Sequence, residues 1–503
     1  MKRALISVSD KTGIEELAKQ LVDLNIEIVS TGGTAKVLED AGVKVISIDD
    51  VTGFPEMMNG RLKTLHPNVH GGLLAVRDNE EHTASAKEHG IEMIDLVVVN
   101  LYPFEQKPGI ENIDIGGPTM LRSAAKNHQY VTVVTDPKDY EKVLEEIKDK
   151  GDTSLETRKK LAQKVFAHTA RYDSLIADFM NEKKEFTDEM TFGYKKAYDL
   201  RYGENPHQSA CFYIEGNIKE PCVANAKILQ GKQLSYNNIM DADGAINVVR
   251  DFTEPACAVI KHANPCGACT DKDIVKAFKQ AYAADSLSAF GGIIALNRDC
   301  NEEIATEISK VFAEIVIAPK FDEKALEILA KKKNLRLLEI GSLAGANTYA
   351  RPPRDLRKVV GGILVQDLDR LIIEAKDLKI VTETQPDADQ IKEMLFAWKI
   401  IKHVKSNAIL LTKNNTTVGV GCGQVSRVDA TDIAIKKAGA NVSGCVIASD
   451  AYFPFRDSID KIATVGIKAI IQPGGSIRDE EVIAACNEHG VAMVFTGNRA
   501  FKH

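Results

Sequence analysis

The sequence has no uninterrupted apolar run of about 18 residues, the length that suggests a membrane-spanning helix. The first residues, MKRALISVSDKTG, contain only a short apolar stretch, so we expect no secretory signal. Positive charge is not in excess, since the formal net charge is −7. That balance argues against a nucleic-acid coat or a membrane-surface protein. We therefore expect neither a nucleic-acid partner nor a membrane partner.

Disulfide and nucleotide-binding patterns are also missing. The nine cysteines are scattered and odd in number, which does not fit a disulfide framework and indicates a reducing, cytoplasmic setting. The sequence contains no G-x-x-x-x-G-K-[ST] and no G-x-G-x-x-G, so no motif indicates ATP or NAD binding. The absence of G-x-S-x-G weakens a serine-hydrolase interpretation.

The composition is that of an ordinary globular chain, with 44% hydrophobic and 27% charged residues. A length of 503 residues suggests about three domains. Roughly the first 140 residues alternate strand-like segments such as RALIS, IEIVS and DLVVVNLYPF with helix-like segments such as IEELAKQLVDLN, which predicts a parallel, helix-covered α/β sheet. Residues 138–185 read as charged helices, and the alternation then resumes to residue 503.

The C-terminal part is predicted to form two lobes, because the pattern breaks near residues 366–390. It also shows weak internal similarity. The segments ADSLSAFGG (284–292) and ASDAYFPF (448–455) are faintly alike, and each lies near an apolar strand. A duplicated lobe is one interpretation of this pattern, although the match is short.

Four polar loops of the N-terminal part carry groups that bind phosphate. Glycine lets the backbone approach an anion, and Lys and Arg supply charge. Together the loops predict a site for a phosphorylated metabolite, whereas each alone fits a tight turn or a solvated surface. The loops are ISVSDKTG with Ser9 and Lys11, STGGT with Thr31, Gly32, Gly33 and Thr34, GRLKTLHP with Arg61, Lys63 and Thr64, and IDIGGPTMLRSAAKNH with Asp114, Gly116, Gly117 and Lys126.

Two histidines in GRLKTLHPNVHGG are spaced as H-x-x-x-H. The zincin pattern requires Glu after the first histidine, but Pro67 follows His66. We expect Pro67 to break the helix that would align His66 with His70. The sequence therefore argues against a metal at this pair.

The stretch CAVIKHANPCGAC (257–269) allows three interpretations. Cys266 and Cys269 match the P-C-x-x-C half of the zinc deaminase signature, but no histidine is followed two places later by Glu. A redox dithiol would normally start a helix. The third interpretation places Lys261 and His262 at the end of a buried strand, before a loop stiffened by Pro265 and Gly267. A histidine there suits proton transfer near neutral pH.

Several ordered segments together resemble one family, the bifunctional purine-biosynthesis enzymes that combine phosphoribosylaminoimidazolecarboxamide (AICAR) formyltransferase with IMP cyclohydrolase. The resemblance extends over essentially the whole chain. The matching segments are SVSDKTG, STGGTAK, TGFPEMMNGRLKTLHPNVHGG, NLYPF, IDIGGPTMLRSAAKNH, LRYGENPHQ, IKHANPCG, SAFGG, SNAI with GVGCGQVSR, SDAYFPFRD and the terminal NRAFKH.

The resemblance implies an α/β fold with a methylglyoxal-synthase-like domain at residues 1–145, a helical connector at 146–194 and a formyltransferase unit of two cytidine-deaminase-like lobes at 195–503. It implies formyl transfer from 10-formyltetrahydrofolate to AICAR, and ring closure of the formylated product, FAICAR, to IMP with loss of water. It also implies a homodimer with formyltransferase sites at the subunit interface. No prosthetic group or catalytic metal is expected.

The resemblance also assigns residues to the cyclohydrolase. Lys63 would stabilise the oxyanion that forms on the formyl group, and Asp114 would orient or deprotonate the attacking nitrogen. The other catalytic assignments are Tyr102 and Lys126. Substrate contacts are expected from Ser9, Lys11, Thr31, Gly32, Gly33, Thr34, Arg61, Thr64, Gly116 and Gly117.

For the transferase, Lys261 and His262 match the catalytic pair. His262 would accept a proton from the 5-amino group, Lys261 would donate to the folate nitrogen or the formyl oxygen, and Asn407 would position the reacting groups. Tyr452 departs from the phenylalanine of the family pattern, so its hydroxyl needs a partner. Substrate contacts are expected from Arg201, Tyr202, Asn238, Phe290, Gly291, Tyr452, Phe455, Asp457, Arg499, Phe501 and His503.

Two other function classes are weighed against this assignment. A zinc nucleobase deaminase would explain PCGAC, but the missing H-x-E disfavours it. A non-catalytic ligand-sensing α/β protein would explain the phosphate loops, but the titratable groups around KHANPCG disfavour that. Cys266 and Cys269 are then expected to be loop and packing residues.

Overall fold

A computed structural model describes residues 1–216, 218–344 and 354–503. The chain divides into two compact units, one formed by Met1–Lys195 with residues 215–216, the other by Lys196–Ile214 and Ile218–His503. No helix in the described part of the chain is long and apolar enough to cross a membrane.

The N-terminal unit is built on alternating strands and helices. Helix α1 shows how the sequence produces them, since Ile14, Leu17 and Leu21 lie on one buried face at helical spacing. The elements are β1 Arg3–Val8, α1 Ile14–Asp23, β2 Glu27–Ser30, α2 Gly32–Asp40, β3 Ile46–Ser47, α3 Ile48–Thr52, α4 Pro67–Leu74, α5 Glu80–Glu88, β4 Leu96–Asn100, α6 Gly116–Lys126, β5 Thr132–Val134, α7 Tyr140–Lys150 and α8 Leu155–Met180.

Five parallel strands form the sheet of this unit, in the order β3-β2-β1-β4-β5. The strands are buried on both faces, as in other parallel sheets covered by helices. Helix α8, in the predicted connector, contributes Leu161, Val165 and Tyr172 to the same core. Because all strands are parallel, the loops after β1, β2 and β4 meet at one edge.

The second unit begins with β6 Tyr194–Leu200 and β7 Ala210–Glu215, which form a two-stranded sheet. Its first lobe contains β8 Lys227–Gln230, α9 Tyr236–Arg250, β9 Ala256–Lys261, β10 Asn264–Thr270, α10 Ile274–Ala283, α11 Ser286–Ala289, β11 Gly292–Leu296, α12 Glu302–Ser309, β12 Ala313–Ala318, α13 Glu323–Leu329 and β13 Arg336–Glu339.

A hairpin of β14 Arg354–Val359 and β15 Gly362–Asp367 precedes the second lobe. That lobe contains β16 Lys379–Ile380, α14 Ala388–Ile401, β17 Ile409–Thr412, β18 Thr417–Gly421, α15 Arg427–Ala438, β19 Val446–Ser449, α16 Asp457–Thr464, β20 Ala469–Gln472, α17 Asp479–His489 and β21 Ala492–Phe495.

The two lobes have the same topology. The first sheet has the order β10-β9-β11-β12-β13-β8 and the second the order β18-β17-β19-β20-β21-β16. In each, an antiparallel hairpin is followed by three parallel strands and closed by an antiparallel edge strand. This repeat supports the duplication, but not through the segments compared in the sequence. Residues 284–292 lead into β11 and end at its first residue, whereas 448–455 begin with the last two residues of β19 and continue after it, so the two segments are not equivalent.

The hairpin edges of the two lobes lie against each other. The backbone N–H of Thr270 donates to the carbonyl of Asn415 at 3.0 Å, and that of Ala268 donates to Thr417 Oγ1 at 2.9 Å. One continuous apolar core also contains residues from both sheets. The start of β10 therefore comes close to the segment that precedes β17.

The predicted fold class is confirmed, with a parallel five-stranded sheet followed by two mixed six-stranded α/β sheets. The domain boundaries at residues 145 and 194, and the break near 366–390, remain predictions.

Candidate active sites

The first candidate site lies at the carboxyl edge of the N-terminal sheet. Asn100, the last residue of β4, accepts hydrogen bonds from the backbone N–H groups of Ser9 at 2.6 Å and Asp10 at 2.8 Å. Since β1 lies between β2 and β4, this is the point where the strand order reverses, the usual place for a ligand in an open α/β sheet. Asn100 was not predicted from the sequence, although it is the polar residue that ends the buried run LVVV.

Side chains also join the loops after β1 and β2. Lys11 Nζ donates to Thr34 Oγ1 at 2.9 Å and to the carbonyl of Val8, and burial lowers the pKa of Lys11. Thr31 Oγ1 and Ser7 Oγ lie 2.7 Å apart. Two of the predicted phosphate loops are thus held together.

Helix α2 begins at Gly32, so Gly32 and Gly33 lie in its first turn rather than in a separate loop. The first N–H groups of a helix have no intrahelical acceptor and carry the positive end of the helix dipole. Lys11 lies beside this turn through Thr34. The arrangement suits an anion.

The GRLKT loop approaches both glycine pairs. A Cβ atom at Gly32 would lie 3.2 Å from Lys63 Nζ, and a Cβ atom at Gly116 would lie 2.7 Å from Thr64 Oγ1. Lys63 Nζ also pairs with Glu56 Oε2 at 2.6 Å, a partner that the sequence analysis missed. The approach of Thr64 leaves no room for a Cβ atom at Gly116, whereas at Gly32 the φ of 38° is what favours glycine.

Asp114 lies at the start of α6. Its Oδ1 accepts the N–H of Gly117 at 2.8 Å. Burial raises the pKa of Asp114, although the backbone N–H groups of Gly117 and Tyr102 lower it in part. The hydroxyl of Tyr172 accepts the N–H of Asp114 at 2.8 Å and donates to the carbonyl of Asn112 at 3.1 Å. Tyr172, which is on α8, was not predicted because it is far away in sequence.

Three other predicted residues of this unit are more exposed. Lys126 is exposed at the last position of α6, about 15 Å along the helix from Gly116 at 1.5 Å per residue. Arg61 forms an exposed ion pair with Glu111, and the ring of Tyr102 is half exposed. The structure therefore brings together Ser9, Lys11, Thr31, Gly32, Gly33, Thr34, Lys63, Thr64, Asp114, Gly116 and Gly117, with Tyr102 beside them, and the place of Lys126 in this site stays a prediction.

The expectation for Pro67 was wrong. Pro67 occupies the first position of α4, where its missing N–H costs nothing, and His66 caps the helix by accepting the N–H of Asn68 at 3.2 Å. His70 Nδ1 lies 3.0 Å from Ser123 Oγ. The two imidazoles thus have separate hydrogen-bond partners.

The second candidate site is centred on the β9–β10 hairpin. Lys261 pairs with Asn264, so only His262 and Ala263 form the turn, with φ of 54° and 57°. The expected loop through Pro265 and Gly267 was wrong, because both residues belong to β10. A register shift accommodates Pro265, and a Cβ atom at Gly267 would lie 1.9 Å from a carbonyl of α10.

Three neighbours hold this hairpin. Lys261 Nζ donates to the carbonyl of Phe290 at 2.7 Å. Asp241 of α9 accepts the N–H of His262 at 3.2 Å and that of Ala263 at 2.7 Å. The hairpin also reaches the second lobe, since Asn264 Oδ1 accepts the N–H of Lys405 at 3.1 Å. The last contact places the Lys261–His262 turn beside the segment that leads to Asn407.

Asn407 is fixed by a buried polar network. Its Oδ1 accepts from Arg427 at 2.7 Å, and its Nδ2 donates to the carbonyl of Gln424 at 2.8 Å. Arg427 also donates to Ser449 Oγ at 2.8 Å and pairs with Asp450 at 2.5 Å. Arg427 ends the segment GVGCGQVSR and Asp450 lies in SDAYFPFRD, but neither was predicted to have a role.

A cavity of about 650 Å³ opens next to this network. Tyr452, where the family pattern has phenylalanine, lies at the wall of the cavity and is 44% exposed. Its hydroxyl can therefore form hydrogen bonds with solvent. Glycine-rich turns after β20 and β21 complete the wall. Its lining residues are Asn407, Val425, Ser426, Arg427, Ala451, Tyr452, Pro454, Pro473, Gly474, Gly475, Gly497, Arg499 and Phe501.

The C-terminal residues border the same region. The guanidinium of Arg499 lies over the ring of Phe501 at 4.9 Å, and that ring is 5.5 Å from the ring of His503. The N–H of Ser406 donates to the carbonyl of Lys502 at 2.8 Å. The predicted residues of NRAFKH therefore pack beside Asn407.

The remaining predicted contacts have structural partners of their own. Arg201 stacks on Tyr202 at 4.6 Å. Asn238, the third residue of α9, accepts the N–H of the N-cap residue Ser235 at 3.3 Å, and its Nδ2 donates to Glu314 at 2.9 Å. Asp457 accepts the N–H of Ser458 at 2.6 Å. Two exposed aromatic rings have neighbours, Phe290 with Phe312 at 4.9 Å and Phe455 with Arg478 at 4.7 Å, and Gly291 has a φ of 74°.

The two cysteines of PCGAC lie in strand β10, not in a loop. Burial raises the pKa of Cys266 and of Cys269 to about 11, so both side chains are thiols near neutral pH. Cys269 Sγ lies 3.0 Å from Gln280 Oε1. In residues 1–216, 218–344 and 354–503, no three His, Cys, Asp or Glu side chains are grouped to hold a metal.

Two family profiles match successive parts of the chain. The family profile described as "AICARFT/IMPCHase bienzyme" matches residues 124–437, and that described as "MGS-like domain" matches residues 13–119. Proteins named "Bifunctional purine biosynthesis protein PurH" from Acetivibrio thermocellus, Bacillus subtilis and Persephonella marina are 54%, 53% and 52% identical, each match covering 100% of both chains. A solved chain titled "Crystal structure of ForH" is 38% identical over 36% of this chain and 97% of its own, with a TM-score of 0.34.

Proposed function

The chain belongs to the family of AICARFT/IMPCHase bienzymes, and from this premise we propose how its residues carry out the two reactions. The protein is an AICAR formyltransferase and an IMP cyclohydrolase of de novo purine synthesis. We assign cyclisation to the carboxyl edge of the N-terminal sheet and formyl transfer to the hairpin and cavity of the second unit.

In the cyclohydrolase, the phosphate of FAICAR binds at the first turn of α2. The free N–H groups at the start of α2 and the adjacent Lys11 provide positive potential. Hydrogen bonds to Asn100 fix the loop that follows β1. Binding then aligns the formyl and carboxamide groups of one molecule, which removes much of the entropic cost of ring closure.

The chemical step forms a bond between the carboxamide nitrogen and the formyl carbon, and water is then lost. Lys63, beside Gly32, stabilises the negative charge that develops on the formyl oxygen. Asp114 accepts a proton from the nitrogen, because burial makes its carboxylate more basic than an exposed one. Tyr102 lies next to Asp114, whereas a role for Lys126 stays a prediction.

In the formyltransferase, the 5-amino group of AICAR attacks the formyl carbon and the folate nitrogen leaves. His262 accepts the proton from the amine, and Lys261 donates to the folate nitrogen or stabilises the formyl oxygen. Asn407 orients the reacting groups, since Arg427 and Gln424 fix both ends of its amide. The observation that carries this assignment is the contact of the His262 hairpin with the segment before Asn407.

We assign the co-substrate 10-formyltetrahydrofolate to the cavity beside Asn407, where Tyr452 offers an aromatic face for stacking. Arg499 and Phe501 border the same cavity and are assigned to AICAR. We further propose that the protein is a homodimer with the transferase sites at the subunit interface, and that it works in the cytoplasm.

The transferase assignment is tested by His262→Asn. Asparagine tolerates a positive φ, so the turn is kept while the imidazole is removed. We expect formyl transfer to fall by about 10²–10⁴-fold, the usual contribution of a general base, while cyclisation of FAICAR is unchanged. Retention of transfer would contradict the role of His262.

The cyclohydrolase assignment is tested by Lys63→Met, with Lys138→Met as the control for loss of a charge elsewhere in the unit. We expect cyclisation to fall by about 10²–10³-fold, as for other oxyanion donors, with formyl transfer retained. A cyclisation rate equal to that of the control would contradict the role of Lys63.

A further inference from the structure

The turn that carries His262 is unusual in its sequence. Two-residue hairpin turns with a positive φ at both central residues favour Asn, Asp or Gly, and here they are His262 and Ala263. A residue such as alanine pays a steric cost in this region. Something outside the turn must therefore stabilise its conformation.

The duplicated lobe contains the matching turn. Asn414 and Asn415 have φ of 55° and 52° between Lys413 and Thr416, and asparagine suits this conformation. Lys413 corresponds to Lys261. Lys413 Nζ donates to the carbonyl of Ser443 at 2.8 Å just before β19, as Lys261 Nζ donates to the carbonyl of Phe290 just before β11. The lobes thus share the scaffold, but the second turn lacks the imidazole.

Both turns are held by a carboxylate from the preceding helix. Asp241 and Glu393 each occupy the sixth position of their helices, α9 and α14. Glu393 accepts the N–H of Asn415 at 2.7 Å, and Asp241 accepts the equivalent N–H of Ala263 at the same distance, 2.7 Å. Only Asp241 accepts a second turn N–H, that of His262 at 3.2 Å.

We propose that Asp241 is a positioning residue for formyl transfer, which fixes the backbone of His262 and Ala263 so that the imidazole faces the substrate amine. The inference rests on the proposed role of His262. Asp241 does not touch the reacting atoms in this role. It replaces the intrinsic turn preference that Asn414 and Asn415 supply in the other lobe.

The test compares Asp241→Asn with Glu393→Gln, the same change in the other lobe. His262 and Ala263 donate to different oxygens of Asp241, and in Asp241→Asn an NH2 group replaces one of these oxygens, so one of the two N–H groups loses its acceptor. We expect kcat for transfer to fall by about tenfold with KM for AICAR within about threefold, and Asp241→Ala to lose about 100-fold, the scale of an ångström-sized misplacement. Glu393→Gln should retain the wild-type kcat, and FAICAR cyclisation should be unchanged throughout.

A rescue variant separates positioning from general stability. Glycine adopts a positive φ freely, so Asp241→Ala with Ala263→Gly should regain about tenfold of the lost kcat. A kcat for Asp241→Ala within about threefold of wild type, no rescue by Ala263→Gly, or an equal loss in Glu393→Gln would overturn the inference. If His262→Asn retains transfer, the proposed role of His262 fails instead, whatever Asp241 does.

Discussion

Replacing Arg427 with methionine removes the guanidinium that links Asp450, Ser449 and Asn407. Asp450 is fully buried, and its Oδ2 has no hydrogen-bond partner in the described part of the chain. The ion pair with Arg427 at 2.5 Å is therefore the main compensation for burying this carboxylate. Methionine is apolar and of similar length, so the substitution isolates the loss of charge and hydrogen bonds.

The expected cost follows from that burial. Breaking a buried ion pair by removing one partner typically destabilises a protein by about 3–5 kcal/mol, because the other charge stays buried without compensation. Removing both charges costs much less, since no buried charge remains. We therefore expect Arg427→Met with Asp450→Asn to be more stable than Arg427→Met alone.

The assay is urea unfolding followed by tryptophan fluorescence. The chain has a single tryptophan, Trp398, which is 4% exposed on α14 in the core of the second unit and so reports on that unit. With a slope of about 3 kcal/mol/M, the midpoint for Arg427→Met should fall by about 1 M or more. A fall of less than about 0.3 M, or a double variant less stable than Arg427→Met, would refute the reasoning.

Three further predictions concern titration and the duplicated lysines. Because burial raises the pKa of Asp114, the acid limb of kcat/KM for cyclisation should lie above the usual Asp range. The folded protein favours protonated Asp114, so this contribution to stability is lost as the pH rises through the raised pKa. Asp114→Asn should remove the acid limb and should be no less stable than the wild type at neutral pH. With pKa values near 11, Cys266 and Cys269 should resist iodoacetamide at pH 7.5 in the native protein, and labelling of either would be contrary evidence. Lys261→Met should lower formyl transfer by at least about tenfold, whereas a comparable loss in Lys413→Met would contradict the distinction between the two turns.

The sequence predicted the parts of the fold that depend on local patterns. Apolar runs and helical spacing were enough for the alternating elements of the N-terminal unit, and the ordered motifs were enough for the family. The duplication was suspected from the wrong segments, because a shared strand order leaves little trace in sequence. Pro67 was misjudged since proline both breaks helices and begins them, and only the helix boundary distinguishes the two.

The residues that hold the candidate sites were harder to predict. Asn100, Asp241 and Arg427 act through partners that are 91, 22 and 20 positions away in sequence, respectively. No local pattern records such pairings.

We propose that two separate sites in one chain perform the two reactions. The most direct measurement mixes Lys63→Met with His262→Asn and supplies AICAR and 10-formyltetrahydrofolate. Lys63→Met alone should accumulate FAICAR, His262→Asn alone should form almost no product, and the mixture should form IMP because each variant supplies the activity that the other lacks. Failure of the mixture to form IMP, with both variants folded, would contradict the account.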